Sequence, residues 1–125
     1  MPVLRSPFVA SLSTSEPIVL NAERSGASFT LFVSGITAGP SRSADEWSTL
    51  YVRTDIMTEP VAIGSVASGQ GTQRIRAVVP VKRGMGDVTL SIVGTLKSVS
   101  ISGDQHTRMS REQVDAVGSK AAAAV

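Results

Sequence analysis

His106 is the only imidazole in the chain, and there is no cysteine. Ser102, Asp104 and Ser110 lie near His106 in sequence, so a nucleophile–base–acid set could be drawn from them. A triad is a spatial arrangement, and sequence neighbours seldom form one. No G-x-S-x-G elbow supports it either. The reading adopted for His106 is a solvent-facing loop histidine, and for the protein, no enzyme. Asp45, Glu46, Asp55 and Glu59 are oxygen donors that could serve calcium, which takes about six to eight oxygens. They lack EF-hand spacing, so solvated turns and strand ends are preferred. Zinc would find one imidazole and no thiolate, so no structural zinc site and no other cofactor are expected.

The densest basic stretch is Arg74, Arg76, Lys82 and Arg83. Arginine and lysine at this spacing could meet a phosphate backbone. The stacking aromatics of single-strand binders are missing nearby, so nucleic acid is not the expected partner. Two readings remain: a solvated outer sheet face, or a contact between this strand and the acidic Asp45/Glu46/Asp55/Glu59 region of a neighbouring copy. Complementary patches on one chain favour head-to-tail association. Gly69-x-Gly71 and Gly84-x-Gly86 neither precede Lys-Ser/Thr nor open a helix, which makes them hairpin turns rather than phosphate loops. Trp47 and Tyr51 share one strand face and would stack on a glycan if exposed. In a chain with 4% aromatics, core anchoring of the one tryptophan is the preferred role.

The elements that position these residues are strands. Between Glu16 and Ser102, short Val/Ile/Leu/Thr runs alternate with Gly, Ser and Pro breaks. Runs begin at Ile18–Leu20 and Phe29–Val33, and a loop is expected over 35–45. Trp47–Thr54 follows with clean period two, then Val61–Ile63 with an extension over Ser65–Ala67. Gln73–Val81 places Ile75, Ala77 and Val79 on one face and Arg74, Arg76 and Val78 on the other. Pro80 has no backbone donor and predicts a sheet edge or bulge there. Val88, Leu90 and Ile92 mark the sixth strand, and Leu96, Val99 and Ile101 the seventh. About seven strands with frequent turn signals predict an all-β fold, a single antiparallel β-sandwich of jelly-roll type.

Three regions follow. Residues 1–15 form an extended N-terminal arm, because Pro2 and Pro7 disfavour helix. Its Val3, Leu4, Phe8 and Val9 need cover, from their own sheet or from a neighbouring subunit. Residues 16–103 are the sandwich. Residues 104–125 are a C-terminal tail, either mobile or briefly helical. Ser110 and Gln113 make a capping-box pattern ahead of a short helix over Arg111–Val117 closed by Gly118.

The totals bound the function. At 125 residues the chain holds one sandwich-sized core. A net charge of +2 is weak for a nucleic-acid binder, and the pI of about 9.5 overstates the basicity. The first ten residues show no apolar signal-peptide segment, so export by a signal peptide is not expected. No apolar run approaches the roughly 20 residues of a membrane span.

Ala27 to Gly35 (ASFTLFVSG), Trp47 to Arg53 (WSTLYVR) and Val88 to Ile101 (VTLSIVGTLKSVSI) together carry a resemblance. Residues 16–102 resemble the jelly-roll modules of small bacteriophage virion proteins, including capsid decoration and head–tail accessory proteins. The resemblance implies a non-enzymatic, multi-copy particle component, assembled in the host cytoplasm and located in the virion. Its implied partners are itself, as a homo-oligomer for which a trimer is considered, and other virion proteins such as the major capsid protein. The contact residues under consideration are Val3, Leu4, Phe8, Val9, Arg74, Arg76, Lys82, Arg83, Asp45 and Glu46. The alternative is a carbohydrate-binding sandwich module using Trp47 and Tyr51.

Overall fold

Period-two alternation is realised as eight strands and one helical turn in the computed structural model, which describes residues 3–41 and 43–108. The strands are β1 (Val3–Ser13), β2 (Ile18–Leu20), β3 (Phe29–Ala38), β4 (Trp47–Thr54), β5 (Val61–Ala67), β6 (Thr72–Val81), β7 (Val88–Gly94) and β8 (Ser98–Arg108), with α1 (Ala22–Ser25) between β2 and β3. They form two antiparallel four-stranded sheets, ordered β1-β8-β3-β6 and β2-β7-β4-β5. The pairs β4–β5, β3–β6, β2–β7 and β1–β8 are the rungs of one long antiparallel ribbon. Rolled up, that ribbon is a jelly roll. Every connection except β4–β5 crosses between the sheets.

The core between the sheets is aliphatic. Leu12, Leu31, Ile36, Leu50, Val81, Val88, Leu90, Leu96 and Ile101 are at most 1% exposed. All but Leu96, which lies in the β7–β8 connection, come from the inward phase of a strand, where a one-residue slip would expose that strand's whole set. Phe29 is the one aromatic among the buried core residues, while Phe8 packs against it partly buried. Trp47 is not the expected core anchor. The inward phase of β4 is Ser48, Leu50, Val52 and Thr54, so Trp47 points outward and is 52% exposed. Ser48 occupies the inward position beside it and donates its hydroxyl to the Leu96 carbonyl.

Several expected boundaries move. The arm is a strand of the sandwich: β1 pairs with β8 from Val3↔Arg108 to Ser13↔Ser98. The loop over 35–45 begins later, because Gly35–Ala38 continue β3 beyond a β-bulge between Val33 and Gly35. That bulge breaks the period-two signal that would have extended the strand. The sandwich does not end at Gly103, since β8 runs on to Arg108. The expected helix over 111–117 lies outside the described residues. Gly69-x-Gly71 and Gly84-x-Gly86 are not hairpin turns. They bridge β5 to β6 and β6 to β7, which lie in different sheets.

Both edges of the first sheet carry a proline. Pro80 sits on edge strand β6 opposite Thr30, as its missing donor requires. Pro7 sits in the middle of edge strand β1, opposite Asp104. Lacking an N–H, Pro7 can occupy only a pair that exchanges no hydrogen bonds with β8. The same parity shows at Ser13, whose amide turns away from β8 to the Glu16 carbonyl at 3.4 Å. Each proline therefore interrupts the row of outward donors that would otherwise invite an added strand. Among the described residues, no helix is long and apolar enough to cross a membrane.

Candidate functional site

Alternation places the chemistry-bearing residues on the outer faces of the two sheets and in the corners between strands. On the first sheet, one outward row runs Pro7–Asp104–Phe32–Val78, and the next runs Arg5–His106–Thr30–Pro80. Val78 is 63% exposed and Val9 74%. Phe32, at the margin of exposure, packs its ring on His106 with centroids 4.4 Å apart. His106 is thus a half-buried strand residue rather than a loop residue. Ser102, Asp104 and His106 take successive outward positions on β8, roughly 7 Å apart. Ser102 and His106 are therefore roughly 13 Å apart along the strand, too far for a nucleophile–base hydrogen bond. Ser110 lies outside the described residues.

The basic stretch divides. Arg74 and Arg76 are exposed on the outward face of β6, beside Val78. Lys82 and Arg83 lie past the other end of that strand, roughly 25 Å away. The Arg83 guanidinium donates to the Gly26 carbonyl at 2.6 Å, and the Arg83 amide donates to Ser28 Oγ at 3.1 Å. Arg83 therefore braces the corner after α1.

The acidic group divides as well. Asp45 and Glu46 precede β4 beside Trp47, whereas Asp55 and Glu59 follow it at the far end. Asp55 Oδ2 accepts the Asp87 amide at 3.0 Å, and Asp87 Oδ1 accepts from the Asn21 side-chain amide at 2.6 Å. These groups knit the β4–β5 loop, the β6–β7 corner and α1 together. Among the described residues, no group of three or more His, Asp or Glu side chains gathers within metal-binding reach.

Glu23 completes that corner, and sequence reasoning missed it because its partner lies 61 residues away. Its carboxylate accepts the Gly84 amide at 2.6 Å. This bond, then Glu23's own amide and the nearby Arg83 charge, hold the carboxyl below its ordinary range against some desolvation. A depressed folded pKa stabilises the protein above the unfolded value, about 4.3. The stabilisation disappears as pH falls through the folded value. In thermal melts, wild type and Glu23→Gln are expected to differ by a constant amount above the unfolded value and to converge as pH falls below it through the folded one. A difference that does not change with pH would remove the carboxylate from this role.

The second sheet presents Trp47, Thr49, Tyr51 and Arg53 along β4, flanked by Ser91 and the 60%-exposed Val93 of β7. Thr49 Oγ1 and Ser65 Oγ share a hydrogen bond of 2.9 Å across to β5. Trp47 is held by its backbone: Thr95 Oγ1 accepts its amide at 3.1 Å, and the Leu96 amide donates to its carbonyl at 3.0 Å. The ring stands out from a fixed strand end. Trp, Tyr and Arg are the residue types that dominate binding energy at protein interfaces. On β1, Val3 and Leu4 are also about half exposed, while Phe8 turns inward.

No protein-family model matches the chain, and no curated protein sequence matches it. Among solved structures, the chain is similar to the core of Drosophila NLP, a structure described in terms of pentamer formation and histone binding. The two share 14% sequence identity with a TM-score of 0.63, over 81% of this chain and 95% of that one. At that identity the likeness is one of fold.

Proposed function

We propose that this chain is a non-enzymatic assembly subunit that acts in multiple copies. In the reading the sequence resemblance favours, it is a component of a bacteriophage virion, as a capsid decoration or head–tail accessory protein. The observation that carries this is the outward placement of large apolar side chains on both faces of a pinned slab: Val9, Phe32 and Val78 on one sheet, Trp47 and Val93 on the other. Apolar patches kept on a soluble surface mark sites of protein contact. The fold likeness supports self-association, because the NLP core it resembles is described as forming pentamers. Histone binding is not carried over. A basic partner calls for a negative field, and this chain has 10 acidic residues against 12 basic ones.

Light scattering on the full chain tests the reading, together with co-sedimentation on purified capsids. A defined oligomer that sediments with capsids is expected. A strict monomer that leaves capsids bare would overturn it.

The exposure of Trp47 favours one second reading, a glycan-stacking platform built with the half-buried Tyr51. A change in tryptophan emission on titration with soluble oligosaccharides would support that reading, and an unchanged emission would exclude it.

A further inference from the structure

A basic strand and an acidic loop each lie beside an exposed apolar residue. On β6, Arg74, Arg76 and Val78 are consecutive outward positions, all exposed. Before and at the start of β4, Asp45 is exposed, Glu46 half-buried and Trp47 exposed. One patch is thus an apolar residue with two cations, and the other an aromatic residue with two anions. Arg74 and Arg76 lie on β6 of one sheet, and Asp45 and Glu46 on the loop entering β4 of the other. We infer that the Arg74/Arg76/Val78 patch of one copy docks on the Asp45/Glu46/Trp47 patch of the next. The occupant of each face is a second copy of this chain.

Three features support the pairing. Charge complementarity sets partner and register. Trp47 offers Val78 a broad apolar surface and offers the neighbouring guanidinium a ring face on which to stack. Pro7 and Pro80 interrupt both edges of the first sheet, which leaves its face, rather than strand addition, as the route to contact. Each copy uses both patches once, so the contact is heterologous and propagates head to tail into a ring or a filament. Lys82, Arg83 and Asp55 take no part: Lys82 is at the far end of β6, and the other two are engaged within the chain.

The inference rests on the multi-copy reading above, and the test separates them. Full-length wild type, Arg74→Glu/Arg76→Glu, Asp45→Lys/Glu46→Lys and the chain carrying all four reversals are compared by sedimentation velocity. Far-UV circular dichroism confirms strand content in each. Wild type is expected to associate. Each double reversal is expected to raise the dissociation constant by roughly a hundred-fold. The four-fold reversal restores opposite charges across the contact and is expected to reassociate, as is an equimolar mixture of the two doubles. Tryptophan emission is expected at shorter wavelength in the assembled species than in the dissociated doubles. If wild type associates and the doubles associate equally well, or if the four-fold reversal fails to recover, this interface is wrong and the multi-copy reading stands. If wild type is monomeric throughout, both fall.

Discussion

Gly103→Ala is expected to destabilise the protein by roughly 3 kcal/mol or more, the upper end of what overpacking costs. Gly103 lies on β8, opposite Phe8 of β1 and Val33 of β3, at the start of the bulge in β3. A Cβ placed there would run into the Phe32 carbonyl oxygen and stand 3.0 Å from Val33 Cα. Both neighbours are backbone, so no side chain can rotate away. Relief requires β3 and β8 to separate, and that loosens the centre of the first sheet. Exposed Asp104, next in sequence, supplies the comparison: Asp104→Ala should stay within about 0.5 kcal/mol of wild type. The measurement is chemical denaturation followed by far-UV circular dichroism. A midpoint for Gly103→Ala equal to that of Asp104→Ala would mean that the close approach is not tight in solution.

Leu50→Ala should cost about 2–5 kcal/mol. Leu50 is fully buried on β4, between Ile92 of β7 and Gly64 of β5, and faces the opposite sheet. Gly64 cannot fill the gap from the side, and the neighbouring aliphatic side chains collapse into it only in part. Domain stability is itself only about 5–15 kcal/mol, so the variant should melt well below wild type. Val19→Ala, on the solvent side of the same sheet, should change stability by about 0.5 kcal/mol or less. Tryptophan emission is a poor reporter for either experiment, since Trp47 is already exposed in the folded state. Equal losses at Leu50 and Val19 would show that the inward phase of this sheet is misassigned.

Legibility in the sequence followed the alternation. The phases of β6 and β7 could be read because Ala77, Val79, Leu90 and Ile92 recur at every second position between polar or exposed neighbours. The second half of β3 could not, because the bulge at Val33/Gly35 shifts its parity before Ile36 returns inward. The end of β8 was hidden for another reason. Its inward positions there, Gln105 and Thr107, are polar and half-exposed, and they hydrogen-bond each other at 3.2 Å. Gly103 looked like a terminus but marks a close approach of two strands. Scarcity of aromatics argues for burying Trp47, yet the phase of β4 turns it outward.

For the candidate surfaces, the charged residues were visible and their grouping was not. Arg74 and Arg83 are near in sequence, yet the ten-residue span of β6 sends them to opposite ends of the sandwich. The binding of Arg83 to Gly26, and of Asp55 to Asp87, depends on corners formed only once the ribbon has rolled.

The nested pairing has a consequence for how the chain comes off the ribosome. β1 is made first, and its only strand partner, β8, is made last among the described strands. During synthesis Val3, Leu4, Phe8 and Val9 wait without their ladder for about a hundred residues, while β4 and β5 can already pair across a short loop. Most contacts join distant parts of the chain, which slows folding. The nascent first strand is therefore the segment with the longest opportunity to find a wrong partner.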